Sequence, residues 1–496
     1  CYICSTLNTH IMAKIIGRTE EIVSMNRLYD SGKAELVAVY GRRRIGKTFL
    51  VDESLKGKIT FRHAGLSPVD EQGKHNFLKD QLKHFYYSLQ LHGMKKSKCP
   101  SSWQEAFFLL ETHLQNTDNG GRQVVFLDEL PWLDTPRSGF LTAFEGFWNT
   151  WGCHRDNLMV VVCGSANSWI LDNLINNHGG LYGRVTYEIK LLPFTLKEME
   201  MFFRERGIAI SRYDIVQCNM ILGGIPYYLN YFKRGKSLAQ NIDALFFDDK
   251  ATLKEEYDRL FSSIFTSPEE LKKIVGVLAS NRSGLTRDEI SKKTGIEPNG
   301  YFTKMLKALI ASDFVSRYVP FGEKKTCEHY KLIDPFCIFY LHFVASQNSL
   351  NADFWTLNQS SQSIVSWRGF AFEEVCLRHI GQIKAALGIS GVVSRQSSWK
   401  TNGSGDVPGS QIDLLIERKD NVVNMCEMKF YNDEYVVSRA YERVLTSRFN
   451  ALKECLPKRC AIHNTLITTY GLKYNEYSGV FQNVVTMDAL FDDGSN

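Results

Sequence analysis

The stretch Gly41 to Thr48, GRRRIGKT, follows the apolar run Leu36-Val37-Ala38-Val39 and constrains the chain more than any other eight residues. It fits G-x-x-x-x-G-K-[ST], the pattern of a phosphate-binding loop set between a strand and a helix. Backbone N–H groups from Gly41 through Arg42, Arg43, Arg44 and Ile45 to Gly46 are expected to cradle phosphates. A helix starting near Lys47 and running through Phe49 adds the positive end of its dipole. Lys47 is expected to reach the β and γ phosphates of ATP, and Thr48 to ligand Mg²⁺, a hard cation that shares its shell with phosphate oxygens. A basic turn matching by chance is the alternative; the strand before and the helix after weigh against it.

Arg122 to Leu130, RQVVFLDEL, gives the second element: four apolar residues closing on Asp128 and Glu129, as a buried parallel strand does at its carboxyl edge. Asp128 is expected to hold Mg²⁺ through water and Glu129 to polarise the water attacking the γ phosphate. Alone, such a strand is weak; behind Gly41–Thr48 it is strong. Leu158 to Cys163, LMVVVC, reads as another buried strand. The GSANSW after it offers Ser165 and Asn167 as γ-phosphate sensors or, equally, as helix caps. Arg184, on the loop GGLYGR, is a candidate for stabilising transition-state charge in cis or across subunits; a surface ion pair is the bland reading.

With 496 residues the chain exceeds one core, and about 150 residues per domain gives three or four. A net charge of +5 permits a local nucleic-acid face without requiring one. Twelve cysteines without disulfide or zinc spacing, apart from Cys1 and Cys4, read as thiols of a reducing cytoplasm. No apolar run reaches the roughly 18 residues of a membrane span, so a cytoplasmic protein with no membrane partner is expected. Residues 1–11 fit nothing that follows, and Met12 reads as the domain start.

The combination IIGRTEEI, YGRRRIGKTF, VVFLDELPW, CGSANSW, GGLYGR and GGIPYYL resembles the prokaryotic STAND-class, AAA-like ATPases of archaeal type. The likeness runs from about Ile15 to the end. It implies an α/β P-loop sheet over 12–195, a helical lid over 196–262, a winged helix over 263–345 and a PD-(D/E)xK nuclease-like, restriction-endonuclease-like α/β domain over 346–496. It also implies that Gly17 and Arg18 lie near the nucleotide base and that Pro226, in Gly224-Ile225-Pro226, packs over the nucleotide. Without it, GGIP reads as a helix stop and restart.

From Pro268 three short helical patterns precede two strand patterns around a charged turn, the order of a winged helix-turn-helix. Thr286 with Glu289 forms a capping box. Lys304, Lys307, Lys324 and Lys325 are candidates for DNA phosphates, against a purely packing role. Further on, QIDLLIERKDNVVNMCEMK reads as two strands. Alternation of Ile412, Leu414 and Ile416 sets Asp413 on the opposite face, and period two puts Glu427 and Lys429 together. This D…E-x-K arrangement suits Mg²⁺ held by acids, with a lysine orienting water, although strand-end charges also form ordinary solvated faces. On the helical stretch Trp367 to Ile383, Glu373 lies at the edge of the apolar stripe and Glu374 points away, so Glu373 is the further metal-sphere candidate. The Pro usual before the first acid is replaced by Gln411-Ile412, which counts against catalysis.

Two functions compete. In one, ATP binding and hydrolysis drive a conformational or homo-oligomeric switch that licenses DNA cleavage, as expected of a defence or mobile-element function. In the other, the ATPase regulates a docking module that binds DNA or a protein.

Overall fold

The computed structural model describes residues 15–67, 77–165, 167–176, 179–265, 268–324, 326–345, 351–401 and 410–493; Lys325 and residues 1–14 lie outside these. The chain divides into two compact units, residues 1–192 and 193–496.

The first unit is built on a parallel sheet in the order β2-β3-β4-β1-β5. Its strands are β1 (Glu35–Tyr40), β2 (Phe61–Ala64), β3 (Gln123–Asp128), β4 (Leu158–Gly164) and β5 (Tyr187–Lys190). Every residue of β1, β3 and β4 is buried, which is why they read as unbroken apolar runs. One face packs on Trp103, Phe107, Phe140, Phe144 and Phe147 from the helices Trp103–Asn116 and Phe140–Thr150. At about 1.5–3 kcal/mol per fully buried large apolar side chain, this core fixes the strand ends rigidly. A helix at Thr19–Tyr29 stops before Ser31-Gly32, as its pattern predicts.

The second unit opens with the helices Leu196–Glu205, Arg212–Leu222, Pro226–Leu229, Leu238–Phe246 and Glu256–Ile264. Gly223 ends one helix at φ +67, and a Cβ on Gly224 (φ +71) would stand 2.3 Å from the Phe194 carbonyl oxygen. Pro226 then starts the next helix, the stop and restart that GGIP encodes. The helices Pro268–Ala279, Arg287–Thr294 and Gly300–Ala311 accompany a small antiparallel sheet: β6 (Leu285–Thr286), β7 (Val315–Tyr318) and β8 (His329–Leu332). The box at its start is made as read, with Thr286 N donating to Glu289 Oε2 at 2.8 Å.

The C-terminal part follows the helix Gln362–Arg378 with β9 (Ser394–Thr401), β10 (Ser410–Arg418), β11 (Val422–Lys429), β12 (Tyr435–Val436), β13 (Ala461–Thr468), β14 (Leu472–Lys473) and β15 (Asn483–Thr486). Five form one sheet, β15-β13-β11-β10-β9, with the helix Arg439–Cys455 between β12 and β13. Strict alternation along β10 does not hold. The register against β9 shifts between Ile412 and Leu415, so Ile412 joins Leu415, not Leu414, in the cluster with Trp399 and Leu452. A β-bulge admits one extra residue and turns the following side chains over. No helix among the described residues is long and apolar enough to cross a membrane.

Candidate functional site

Three adjacent strands of the first unit deliver their ends to one place: Gly41 after β1, Asp128 and Glu129 at the end of β3, and Ser165 after β4. The loop's path depends on glycine. A Cβ on Gly41 would meet the Leu191 carbonyl oxygen at 2.2 Å, and Gly46 caps the helix Lys47–Ser54 at φ +89. Lys47 folds back, its Nζ donating to the carbonyls of Gly41 (3.0 Å) and Arg42 (3.1 Å). Burial lowers the pKa of this ammonium, against the pull of Cys163, Glu129 and Asp128. Thr48 Oγ1 donates to Asp128 Oδ2 at 2.9 Å, so the hydroxyl and carboxylate stand side by side, as two groups serving one cation must.

Glu129 sits in the left-handed region at φ +46, a strained conformation that costs on the order of 1–3 kcal/mol and persists only when its surroundings impose it. Its carboxylate accepts from the Ser165 backbone N–H (3.2 Å) and hydroxyl (3.0 and 3.1 Å). Ser165 is thus the orienting partner of Glu129, a link that no local pattern announces. The three arginines diverge: Arg42 is buried, with Nη1 on the Arg43 carbonyl at 3.4 Å, while Arg43 and Arg44 are partly exposed, Arg44 at φ +72. Ile45 is buried and Phe49 exposed. Gly17 and Arg18 both adopt positive φ before the first helix. Arg184 is exposed on a turn closed by its own N–H to the Leu181 carbonyl. The Asn167 side chain lies outside the described residues.

In the second unit, Glu427 and Lys429 share a face of β11, with Nζ 2.6 Å from the Glu427 carboxylate. The same carboxylate accepts from Arg448 Nη1 at 2.8 Å and from the Tyr441 hydroxyl, both on the helix Arg439–Cys455. Asp413 lies one step beyond the β10–β11 pair Leu414–Cys426, and its Oδ1 accepts from Gln411 at 2.7 Å. Glu374 does not point away from the protein: it is buried and ion-paired with Lys331 of β8. A cavity of about 620 Å³ is lined by Glu373, Glu374, Asp413 and Lys331 among others. Among the described residues no three or more His, Cys, Asp or Glu form a group that could hold a metal ion. Tyr441, Arg448 and Lys331 escaped sequence reading; the seven-residue spacing of the first two on one helix face is the only trace they leave.

The Glu373 carboxyl is pushed up to about 8, by burial first and by Asp413 next, with Lys331 opposing. Its ordinary value is 4.5. Between those values the folded state holds one proton more than the unfolded chain, so stability falls as pH rises. Denaturation midpoints of the metal-free protein should drop between about pH 5 and 8. Glu373→Gln, which cannot ionise, should flatten that drop; an equally steep decline in the variant would assign the titration to another group.

Residues 15–232 match the family model described as an ATPase domain predominantly from Archaea. The chain is 26% identical over 367 residues to an uncharacterized protein of Methanocaldococcus jannaschii, covering 73% of this chain and 76% of that protein. An uncharacterized ATP-binding protein of the same organism is 42% identical over 43 residues, 9% of this chain and 73% of its own. Among solved structures, the Walker-type ATPase of Pyrococcus abyssi is similar at 21% identity and a TM-score of 0.46, over 66% of this chain and 96% of its own. The stretch similar to that ATPase domain, residues 15–232, contains the phosphate loop, the Asp128-Glu129 strand and Ser165.

Proposed function

We propose that the chain is an ATP-hydrolysing switch whose output is exerted on nucleic acid by its C-terminal part. The convergence of Lys47, Thr48, Asp128, Glu129 and Ser165 on three adjacent strand ends carries this reading. Mg²⁺–ATP supplies an electrophilic phosphorus and a cation that neutralises charge on the transferring phosphoryl oxygens. Lys47 would exchange the loop carbonyls for phosphate oxygens, and Thr48 with Asp128 would hold the cation. Glu129, oriented by Ser165, accepts the proton of the attacking water. Arg184, exposed, is available to the developing charge from this subunit or a second copy.

For the output, the pairing of Glu427 with Lys429 and the nearness of Asp413 and Glu373 favour metal-dependent phosphodiester cleavage. Asp413, Glu427 and Glu373 are the residues that would hold Mg²⁺, which would there lower the pKa of a bound water. The order of helices and strands over 268–332 supports a winged helix, whose exposed Lys304, Lys307 and Lys324 suit phosphates. A second reading, a regulated docking module, is favoured by the full engagement of Glu427 with Tyr441, Arg448 and Lys429.

Plasmid and single-stranded nucleic acids, incubated with Mg²⁺ with and without ATP, separate the two. Asp413→Ala and Lys429→Ala should each reduce cleavage by about 100-fold or more while ATP turnover persists, since each removes a charged participant at the scissile phosphate. A wild type that cleaves nothing under any nucleotide condition leaves the docking module.

A further inference from the structure

The helix Leu78–Leu91 of the first unit carries a glutamine, Gln81, that is fully buried. Its amide is spent entirely on backbone. Oε1 accepts from the Leu66 N–H at 3.0 Å, and Nε2 donates to the Leu66 carbonyl at 2.8 Å and to the Trp132 carbonyl at 2.9 Å. These partners fix which way the amide faces, because the flipped group would set its NH₂ against an N–H and its oxygen against two carbonyls. Gln81 therefore joins the segment leaving β2 to the short helix Leu130–Leu133 that follows Glu129.

The turn braced in this way is the strained one. The Gly65 N–H donates to the Asp128 carbonyl at 3.0 Å, and the Trp132 N–H to the Glu129 carbonyl at 2.9 Å. Gly65 lies so near that a Cβ on it would stand 2.8 Å from the Glu129 carbonyl oxygen and 3.0 Å from the Trp132 Cβ. On the other side, a Cβ on Gly164 at the end of β4 would stand 2.7 Å from Pro131 Cδ. Residues 129–132 are thus wedged between the exits of both neighbouring strands, and Gln81 ties the β2 side shut. A residue other than glycine keeps a left-handed backbone only under such constraint.

We infer that Gln81 is a positioning residue for ATP hydrolysis: by clamping Leu66 to Trp132 it holds the Glu129 turn left-handed and keeps the Glu129 carboxylate aimed at the attacking water. Ser165 holds the carboxylate itself; Gln81 holds the backbone beneath it. The inference rests on Glu129 being the base, as proposed above.

Single turnovers of ATP with Mg²⁺ and excess full-length protein, read beside nucleotide titrations, test this. Gln81→Met keeps the side-chain length and removes all three bonds; it should slow hydrolysis by about 10-fold or more, with ATP affinity within about threefold of the wild type. Added to Glu129→Gln, the same substitution should slow the residual hydrolysis by less than about twofold, because its effect passes through a carboxylate that is no longer there. A merely structural role would lower the residual rate and the affinity as well. Gly65→Ala presses on the Glu129 carbonyl without touching Gln81 and should reproduce the pattern; it decides the matter if Gln81→Met fails to fold. Hydrolysis at the wild-type rate by folded Gln81→Met and Gly65→Ala, or an equal loss in the two backgrounds, would overturn the inference, while a slow Glu129→Gln would still keep the base. Full turnover by Glu129→Gln would remove both.

Discussion

Lys47→Ala should lower ATP affinity by about 100-fold or more while leaving a folded, cooperatively melting protein. Hydrogen bonds to a charged group contribute roughly 1.5–3 kcal/mol each, and Lys47 is placed to make them to phosphate oxygens in a site that already strips it of water. The fold should tolerate the loss, because what Lys47 touches in the unliganded protein is two carbonyls of its own loop, not the core. Removing it also relieves the cost of burying an ammonium, so the melting temperature should move by only a few degrees. Fluorescent-nucleotide titration and thermal melts read the two effects separately. Unchanged affinity in a folded variant would remove the loop from nucleotide binding.

Glu129→Gln should keep ATP bound and slow its hydrolysis by about 10²–10⁴-fold, the usual contribution of a positioned general base. The amide is isosteric, so its oxygen can still accept from the Ser165 N–H and hydroxyl, and the left-handed backbone at Glu129 is unaffected. Only the ability to take a proton is lost. Affinity should stay within a few-fold of the wild type, in contrast to Lys47→Ala, and that split between binding and turnover distinguishes the two residues. Full turnover by the variant would move the base elsewhere.

What could be read from the sequence follows from how local each signal is. β1, β3 and β4 are buried on both faces and so announce themselves as apolar runs, and the glycine–lysine–threonine loop between strand and helix is a contiguous pattern. β2, FRHA, escaped because it is a four-residue edge strand in which burial alternates and two of the four residues are Arg62 and His63. The pairing of Ser165 with Glu129 depends on β4 lying beside β3, a fact of strand order that no 11-residue window contains. In the second unit, period two failed at the bulge in β10, where one extra residue reverses the facing of Ile412. Glu374 read as outward by helical period alone because its partner, Lys331, arrives from a strand more than forty residues earlier in the chain. Tyr441 and Arg448 reach Glu427 from a helix that passes beside β11, again a consequence of packing.

The central claim, that Gly41–Thr48 powers ATP hydrolysis assisted by Glu129, is tested most directly by phosphate release from ATP by the purified full chain with Mg²⁺, measured beside Lys47→Ala and Glu129→Gln. The account predicts turnover in the wild type, none above background in either variant, and retained nucleotide binding in Glu129→Gln alone. A wild type that binds no ATP, or variants that turn it over at the wild-type rate, would contradict it.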